Sequence, residues 1–166
     1  MKIRIAVQED LVSIDAIYNQ AIELKKTGDL SPYPIAVRQK WFDEHDASKY
    51  PVYVAEENGK VVGWVSISPY RPGRMAFRNV VEVSYYLDKD FQGKGIGSQL
   101  LQFSMELAKK LGYKNMVAIL LANNFPSIKL LEKYKFQRWA HLPDVAEFPE
   151  GESVGHVYYG LRMNDE

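Results

Sequence analysis

The chain has no cysteine, which excludes a disulfide framework, a thiolate nucleophile and a cysteine-based zinc site. Histidine is scarce: His45, His141 and His156 stand far apart, a poor ligand set, so no metal is expected. Net charge is also missing. Twenty-one basic residues balance twenty-one acidic ones, so no global field draws in nucleic acid or an anionic membrane, and any polyanion must be held by a local feature. No apolar run approaches the roughly 20 residues of a membrane span, and "MKIRIAVQEDL" lacks a signal-like apolar core. The expectation is a cytoplasmic protein with neither nucleic-acid nor membrane partners. No repeat, linker or low-complexity tract interrupts the chain, and 46% hydrophobic with 25% charged residues suits one compact core. Residues 1–166 are therefore read as a single domain.

What is present is periodic. "KIRIAV" alternates as a strand, and Leu11, Ile14, Ile17, Tyr18, Ala21 and Leu24 follow at helical spacing. Between Lys25 and Ala36 the pattern fails amid Gly28, Pro32 and Pro34, a candidate substrate-side loop, before "VRQKWFDEH" forms a short amphipathic helix. "PVYVAEENGKVVGWVSIS" is two alternating strands, Val52 to Glu56 and Val61 to Ile67, joined by Asn58-Gly59, the pair that a type I′ hairpin favours. "NVVEVSYYL" is a further strand. The glycine segment "FQGKGIGSQLL" follows it, then a helix ending at Gly112, then the apolar strand "NMVAILL". Together these make a βαβ unit. "NNFPSIKLLEKYKF" starts another helix, and "QRWAHL" and "HVYYGLRM" close the chain as strands around a Pro/Gly/Glu-rich loop. The fold class is α/β with a mixed sheet.

Gly93, Gly95 and Gly97 sit at the mouth of a helix, where free backbone N–H groups and the positive end of the helix dipole make an anion site. Each charge-assisted amide bond contributes on the order of 1.5 to 3 kcal/mol, so several aimed at one pyrophosphate hold it without an arginine cluster. The alternative is that the glycines serve only a sharp turn and close helix packing. Nucleotide fingerprints do not match: a P-loop needs Gly-Lys-Ser/Thr after its spacer, and a dinucleotide motif counted from Gly93 needs glycine where Ser98 stands. Glu82 is the other notable residue. It lies mid-strand with Val81, Val83, Tyr85 and Leu87 alternating against it, and poor solvation there raises a carboxyl pKa into the range of a general base. An exposed glutamate, or an ion pair with Arg71, Arg74 or Arg78, is the competing reading.

Gln92-x-x-Gly95-x-Gly97, after a strand and opening a helix, resembles the acetyl-CoA pyrophosphate loop of the GNAT superfamily of N-acetyltransferases. "IYNQA", "YPVYVAEENGKVVG", "GWVSISPYR", "FRNVVEVSYYLDKDFQGKGIG" and "NNFPSIKLLEKYKF" are similar to its phosphinothricin or methionine sulfoximine acetyltransferase-like branch, over most of the chain. The resemblance implies a mostly antiparallel mixed sheet, flanked by helices and split where acetyl-CoA binds. It implies that Tyr85, Tyr86 and Leu87 meet the pantetheine arm. Gln92, Gly93, Lys94, Gly95, Ile96, Gly97 and Ser98 then cradle the pyrophosphate, and Asn124 and Ser127 touch the cofactor from the next helix. It also implies that Glu82 takes the ammonium proton, and that the protein is a homodimer.

The family tyrosine that protonates the thiolate stands seven residues after the asparagine, where this chain has Leu131. Tyr134, three residues on, is the substitute candidate, with core packing its plainer reading. The related branch often has histidine at the Leu131 place and an aspartate near His156. For the substrate, Trp41, Tyr70, Arg71, Phe77 and Arg78 suggest an aromatic pocket with a cationic clamp for a carboxylate or phosphinate, or else a solvated charged loop. The leading expectation is acetyl transfer from acetyl-CoA to the primary amine of a small amino-acid-like molecule, by direct attack in a ternary complex. A peptide acetyltransferase, a non-catalytic acyl-CoA sensor and a plain nucleotide-binding module are the alternatives.

Overall fold

Alternation and helical spacing translate directly into elements in the computed structural model of the chain, which describes residues 1–163. Strand β1 (Lys2–Ile5) leads through a short 3-10 turn into helix α1 (Leu11–Glu23), whose Leu11, Ile14, Ile17 and Ala21 form the buried stripe that helical spacing requires. Helix α2 (Ile35–Asp43) follows the irregular segment. Strands β2 (Val52–Glu57) and β3 (Lys60–Pro69) form the hairpin. Asn58 and Gly59 turn it at φ 51° and 77°, the left-handed pair of a type I′ turn. Strand β4 (Val80–Leu87), helix α3 (Ile96–Lys110) and strand β5 (Asn115–Leu121) make the βαβ unit, and Gly112 at φ 88° ends the α3 segment. Helix α4 (Phe125–Lys133) carries its proline in the first turn. Strands β6 (Gln137–Glu147) and β7 (Ser153–Arg162) run longer than the sequence suggests. Irregular register at Arg138/Ala140 and at Leu142/Ala146 lets the ladder pass Pro143.

The strands form one sheet in the order β1-β2-β3-β4-β5-β7-β6, antiparallel throughout except for β4 beside β5. Alternation along β4 divides its side chains between two cores. Val81 and Val83 enter the larger one with Leu100 and Leu101 of α3 and Leu131 of α4. A fully buried leucine there contributes about 1.5 to 3 kcal/mol. On the opposite face, Ile14 and Ile17 of α1 pack with Val52, Val54 and Trp64, and Trp41 and Tyr86 lie against them.

The pairing that positions the site is short. β4 meets β5 only through Val80, Val81 and Glu82, set against Asn115, Met116 and Val117. Beyond Glu82 the two strands separate, while β4 stays bonded to β3 and β5 to β7. The backbone edges of Val83–Leu87 and Ala118–Leu121 that face each other thus lack a ladder partner, which leaves amide groups for a guest.

Candidate active site

The loop that follows β4 is tied to its end: Gln92 Nε2 donates to the Leu87 carbonyl at 3.2 Å, and the Asp88 carboxylate accepts from the Asp90 N–H at 2.9 Å. The three glycines do different work. Gly93 and Gly95 have φ of 73° and 81°, and an added Cβ at either would meet open space. Gly95 is the residue before the first turn of α3. At these two positions left-handed backbone is required and the ground in front of the helix stays bare, the arrangement an approaching phosphate needs. Gly97 has ordinary helical backbone, and a Cβ there would touch Leu130 and Leu87 at 3.5 Å. It serves packing between α3 and α4. The packing reading of the glycines thus describes Gly97, while Gly93 and Gly95 have the bare backbone that the anion reading requires. Ile96 is 3% exposed and belongs to the core through its side chain, whereas Lys94 is exposed with its Nζ 4.7 Å from the Phe91 ring.

Around this loop a cleft of about 140 Å³ is bordered by Tyr85, Tyr86, Leu87, Gln92, Gly97, Asn124 and Ser127. These come from strand, loop and both helix mouths, and all were named from the sequence. Sequence reasoning missed Gln20, Lys26 and Lys89, which border the same cleft. Gln20 is fixed through Oε1, which accepts from the Lys89 N–H at 2.8 Å. Asn124 precedes α4 without spending its side chain on a cap. The Tyr85 hydroxyl and Ser127 Oγ lie 2.5 Å apart, and burial pushes the Tyr85 and Tyr86 phenols up to about 12.

The split continues inward as a cavity of about 250 Å³, bordered by Glu82, Tyr85, Ile119, Leu121, Asn124 and His156, and capped by Lys26, Thr27 and Gly28. Glu82 also borders a second cavity, of about 330 Å³, on the α1/α2 face. It therefore stands where the two spaces meet. No side chain among the described residues is within hydrogen-bond or ion-pair distance of its carboxylate, and burial raises its pKa above the ordinary glutamate value. Of the two readings that stood beside a general base, the ion pair with Arg71, Arg74 or Arg78 is absent among the described residues. Burial holds the His156 imidazole below its ordinary value, in the neutral form.

The second cavity is aromatic and polar. Tyr18, Trp41, Trp64 and Tyr86 border it with Ser66, Ser68, Ser84, Asp15, Asp29 and Arg38. His45 braces the α2 end: Nδ1 donates to the Trp41 carbonyl at 2.7 Å, which leaves Nε2 to accept from Ser68 Oγ at 3.1 Å. Of the substrate residues expected from sequence, Trp41 alone lies here. Tyr70, Arg71, Phe77 and Arg78 border none of these spaces. The loop that carries them leaves the end of β3, and Tyr70 packs edge-on against Phe77 at 5.8 Å and Tyr158 at 6.5 Å. Arg78 Nη1 donates to the Met75 carbonyl at 3.0 Å. The arginine at the cavity is instead Arg38, and the available signal was its place one helical turn before Trp41. Tyr134 lies at the far end of α4, its hydroxyl 2.5 Å from Ser98 Oγ, and it borders neither space beside Glu82.

Comparison with known proteins identifies the family. Residues 14–136 match the model of the acetyltransferase (GNAT) family. The chain is 41% identical to Bacillus subtilis YwnH, over 89% of this chain and 90% of that one. It is 38% identical to the L-methionine sulfoximine/L-methionine sulfone acetyltransferase of Pseudomonas aeruginosa, over 87% and 85%. The crystal structure of a phosphinothricin acetyltransferase from Sinorhizobium meliloti in complex with acetyl-CoA superposes with a TM-score of 0.92. It is 28% identical, and the match covers 98% of this chain and 88% of that one.

Proposed function

The chain belongs to the acetyltransferase (GNAT) family, and from that membership we propose that it is an acetyl-CoA-dependent N-acetyltransferase for the primary amine of a small amino-acid-like substrate of the methionine sulfoximine and phosphinothricin class. One observation carries the reading: an unpaired, poorly solvated Glu82 stands where the cavity in the split, which shares Tyr85, Asn124 and Ser127 with the cleft beside Gln92 and Gly97, meets an aromatic cavity of small-molecule size. The residues fit acetyl-CoA. The bare approach at Gly93 and Gly95 and the free amides of the first turn of α3 suit a pyrophosphate, with Lys26 and Lys89 adding charge. The unpaired edge of β4 suits the amides of a pantetheine arm.

When bound, acetyl-CoA supplies the thioester carbonyl that the amine nitrogen attacks, with a C–N bond formed, the C–S bond broken and the thiolate released. The nitrogen loses two protons on the way from ammonium to amide. Glu82 takes one, and its raised pKa makes it a better acceptor than an exposed carboxylate. The proton that reaches sulfur passes by way of Tyr85, whose hydroxyl is paired with Ser127 at the cavity wall and stays protonated at neutral pH. Tyr134, held at Ser98, serves the cofactor side instead. The same reading makes the enzyme a cytoplasmic homodimer. The exposed Trp139, Leu142 and Val145 on the outermost strand β6 support the dimer.

The test is thiol release from acetyl-CoA across amino acids, methionine sulfoximine, phosphinothricin, polyamines, aminoglycosides and a lysine peptide. Turnover confined to amino-acid-like amines is the expected result. Tight acetyl-CoA binding with no turnover on any amine would replace the enzyme by a sensor.

A further inference from the structure

The cavity on the α1/α2 face holds more recognition chemistry than an amine alone requires. Arg38 stacks its guanidinium on Tyr18 at 4.5 Å and Trp41 at 4.7 Å, with Trp64 at 5.8 Å. Its side chain is 12% exposed. Only one edge of the group is met by protein: Nε donates to Asp15 Oδ1 at 3.2 Å, and among the described residues no acceptor meets Nη1 or Nη2. A guanidinium carries five N–H donors, and a largely buried charge with most of them idle is costly. Trp64, 2% exposed, adds an indole N–H that is buried without a partner. Arg38 and Trp64 border the same cavity as Glu82.

The strand register gives these donors a place relative to the reaction. Glu82 is opposite Ser68, and Trp64 is opposite Tyr86. Tyr86 lies two same-face positions beyond Glu82 along β4, and Arg38, stacked over Trp64 and unpaired with Glu82, stands further along the same cavity. In an α-amino acid the amine and the carboxylate share one carbon. A guest whose amine lies at Glu82 therefore brings the end of its side chain, and not its α-carboxylate, to Arg38.

We propose that Arg38, held by Asp15, and the Trp64 indole bind the oxygen atoms at the side-chain tip of the amine substrate. They select amino acids that end in a tetrahedral oxidised or anionic group. The assignment rests on the acetyl-transfer reading and adds the group that sets its specificity. Asp15 is a positioning residue, since it fixes the guanidinium through Nε and leaves the two Nη atoms for the guest.

The test compares kcat/KM for L-methionine sulfone, L-methionine and L-methionine sulfone α-carboxamide in the wild type and in Arg38→Gln, Arg38→Lys and Trp64→Phe. Ratios between substrates within one variant do not depend on how much of it is folded, so a destabilised variant still reports. The wild type is expected to prefer the sulfone to the thioether by about 100-fold, and Arg38→Gln to reduce that preference to about threefold or less. Arg38→Lys keeps the charge without the fork and falls between them. Trp64→Phe loses part of the preference. The wild-type preference for the free carboxylate over the carboxamide is expected to survive in Arg38→Gln. If that preference collapses instead, Arg38 holds the α-carboxylate and the tip assignment is wrong. Equal losses on all three substrates, or a wild type indifferent to the sulfone, would reduce Arg38 to a structural role. A wild type that binds acetyl-CoA and acetylates no amine is a different outcome, which removes the acetyl-transfer reading and this one with it.

Discussion

Replacing Glu82 by glutamine keeps the shape of the side chain and removes its basicity. The carboxylate has no hydrogen-bond or ion-pair partner among the described residues, so the change breaks no network and isolates the proton-accepting role. Burial is the cause of the raised pKa. A positioned general base contributes about 10² to 10⁴ in rate, or about 2.7 to 5.5 kcal/mol of barrier. For Glu82→Gln we expect kcat/KM for the amine to fall by about 10² to 10³ near neutral pH, with the KM for acetyl-CoA unchanged. The assay is thiol release from acetyl-CoA measured from pH 5 to pH 10. In the wild type the acidic limb of kcat/KM reports a group above the ordinary glutamate value of 4.5. In the variant that limb is gone, and the rate rises only with the free-amine fraction of the substrate. Stability gives an independent check. A carboxyl whose folded pKa is raised binds its proton more tightly in the native state, so native stability falls as pH rises from the unfolded value to the folded one. Glu82→Gln should therefore melt higher than the wild type at pH 7, and the difference should vanish below 4.5. A variant with wild-type kcat/KM and an intact acidic limb would refute the assignment.

The other predictions concern the loop, the thiolate and the cavity floor. Gly95→Ala places a Cβ at φ 81°, which costs about 1 to 2 kcal/mol. It should lower Tm by about 2 to 8 °C and weaken acetyl-CoA binding by about tenfold in titration calorimetry, because the new methyl stands in the anion approach. Gly97→Ala, in helical backbone with only ordinary contacts to Leu87 and Leu130, should leave Tm unchanged or slightly raised. A loss in Gly97→Ala equal to that in Gly95→Ala would refute the division of labour among the glycines. Tyr134→Phe should keep kcat within about threefold and raise the KM for acetyl-CoA, while Tyr85→Phe should lower kcat at least about tenfold. The reverse pattern in steady-state kinetics would return Tyr134 to the proton-donor role. Burial holds the His45 imidazole below its ordinary value of 6.5. The stability it contributes is complete above that value and is lost as pH falls below it. Tm measured between pH 7.5 and pH 5 should decline more steeply in the wild type than in His45→Gln.

The sequence by itself determined the features whose physics is local. Asn58-Gly59 can adopt the paired left-handed turn that closes a hairpin, alternation in "NVVEVSYYL" makes a strand, and Gly93 and Gly95 release the backbone before a helix. The β4-α3-β5 unit was legible because strand, glycine turn and helix succeed one another within a short stretch. Glu82 was legible as an anomaly in that strand, a carboxylate where alternation leaves little water. Only the tertiary structure decided which residues from distant segments share a space. Arg71 and Arg78 looked like the clamp because they share a loop with Tyr70 and Phe77, yet that loop packs toward Tyr158 while α2 brings Arg38 over Trp64. Tyr134 was chosen by counting from Asn124, but the direction of α4 carries its hydroxyl to Ser98. The split itself is a tertiary feature: β4 and β5 part after Glu82 while each stays paired to β3 and β7 on its other edge. Backbone preference acts between neighbours in sequence, whereas a site is defined by contacts that close only when the sheet and its helices have packed.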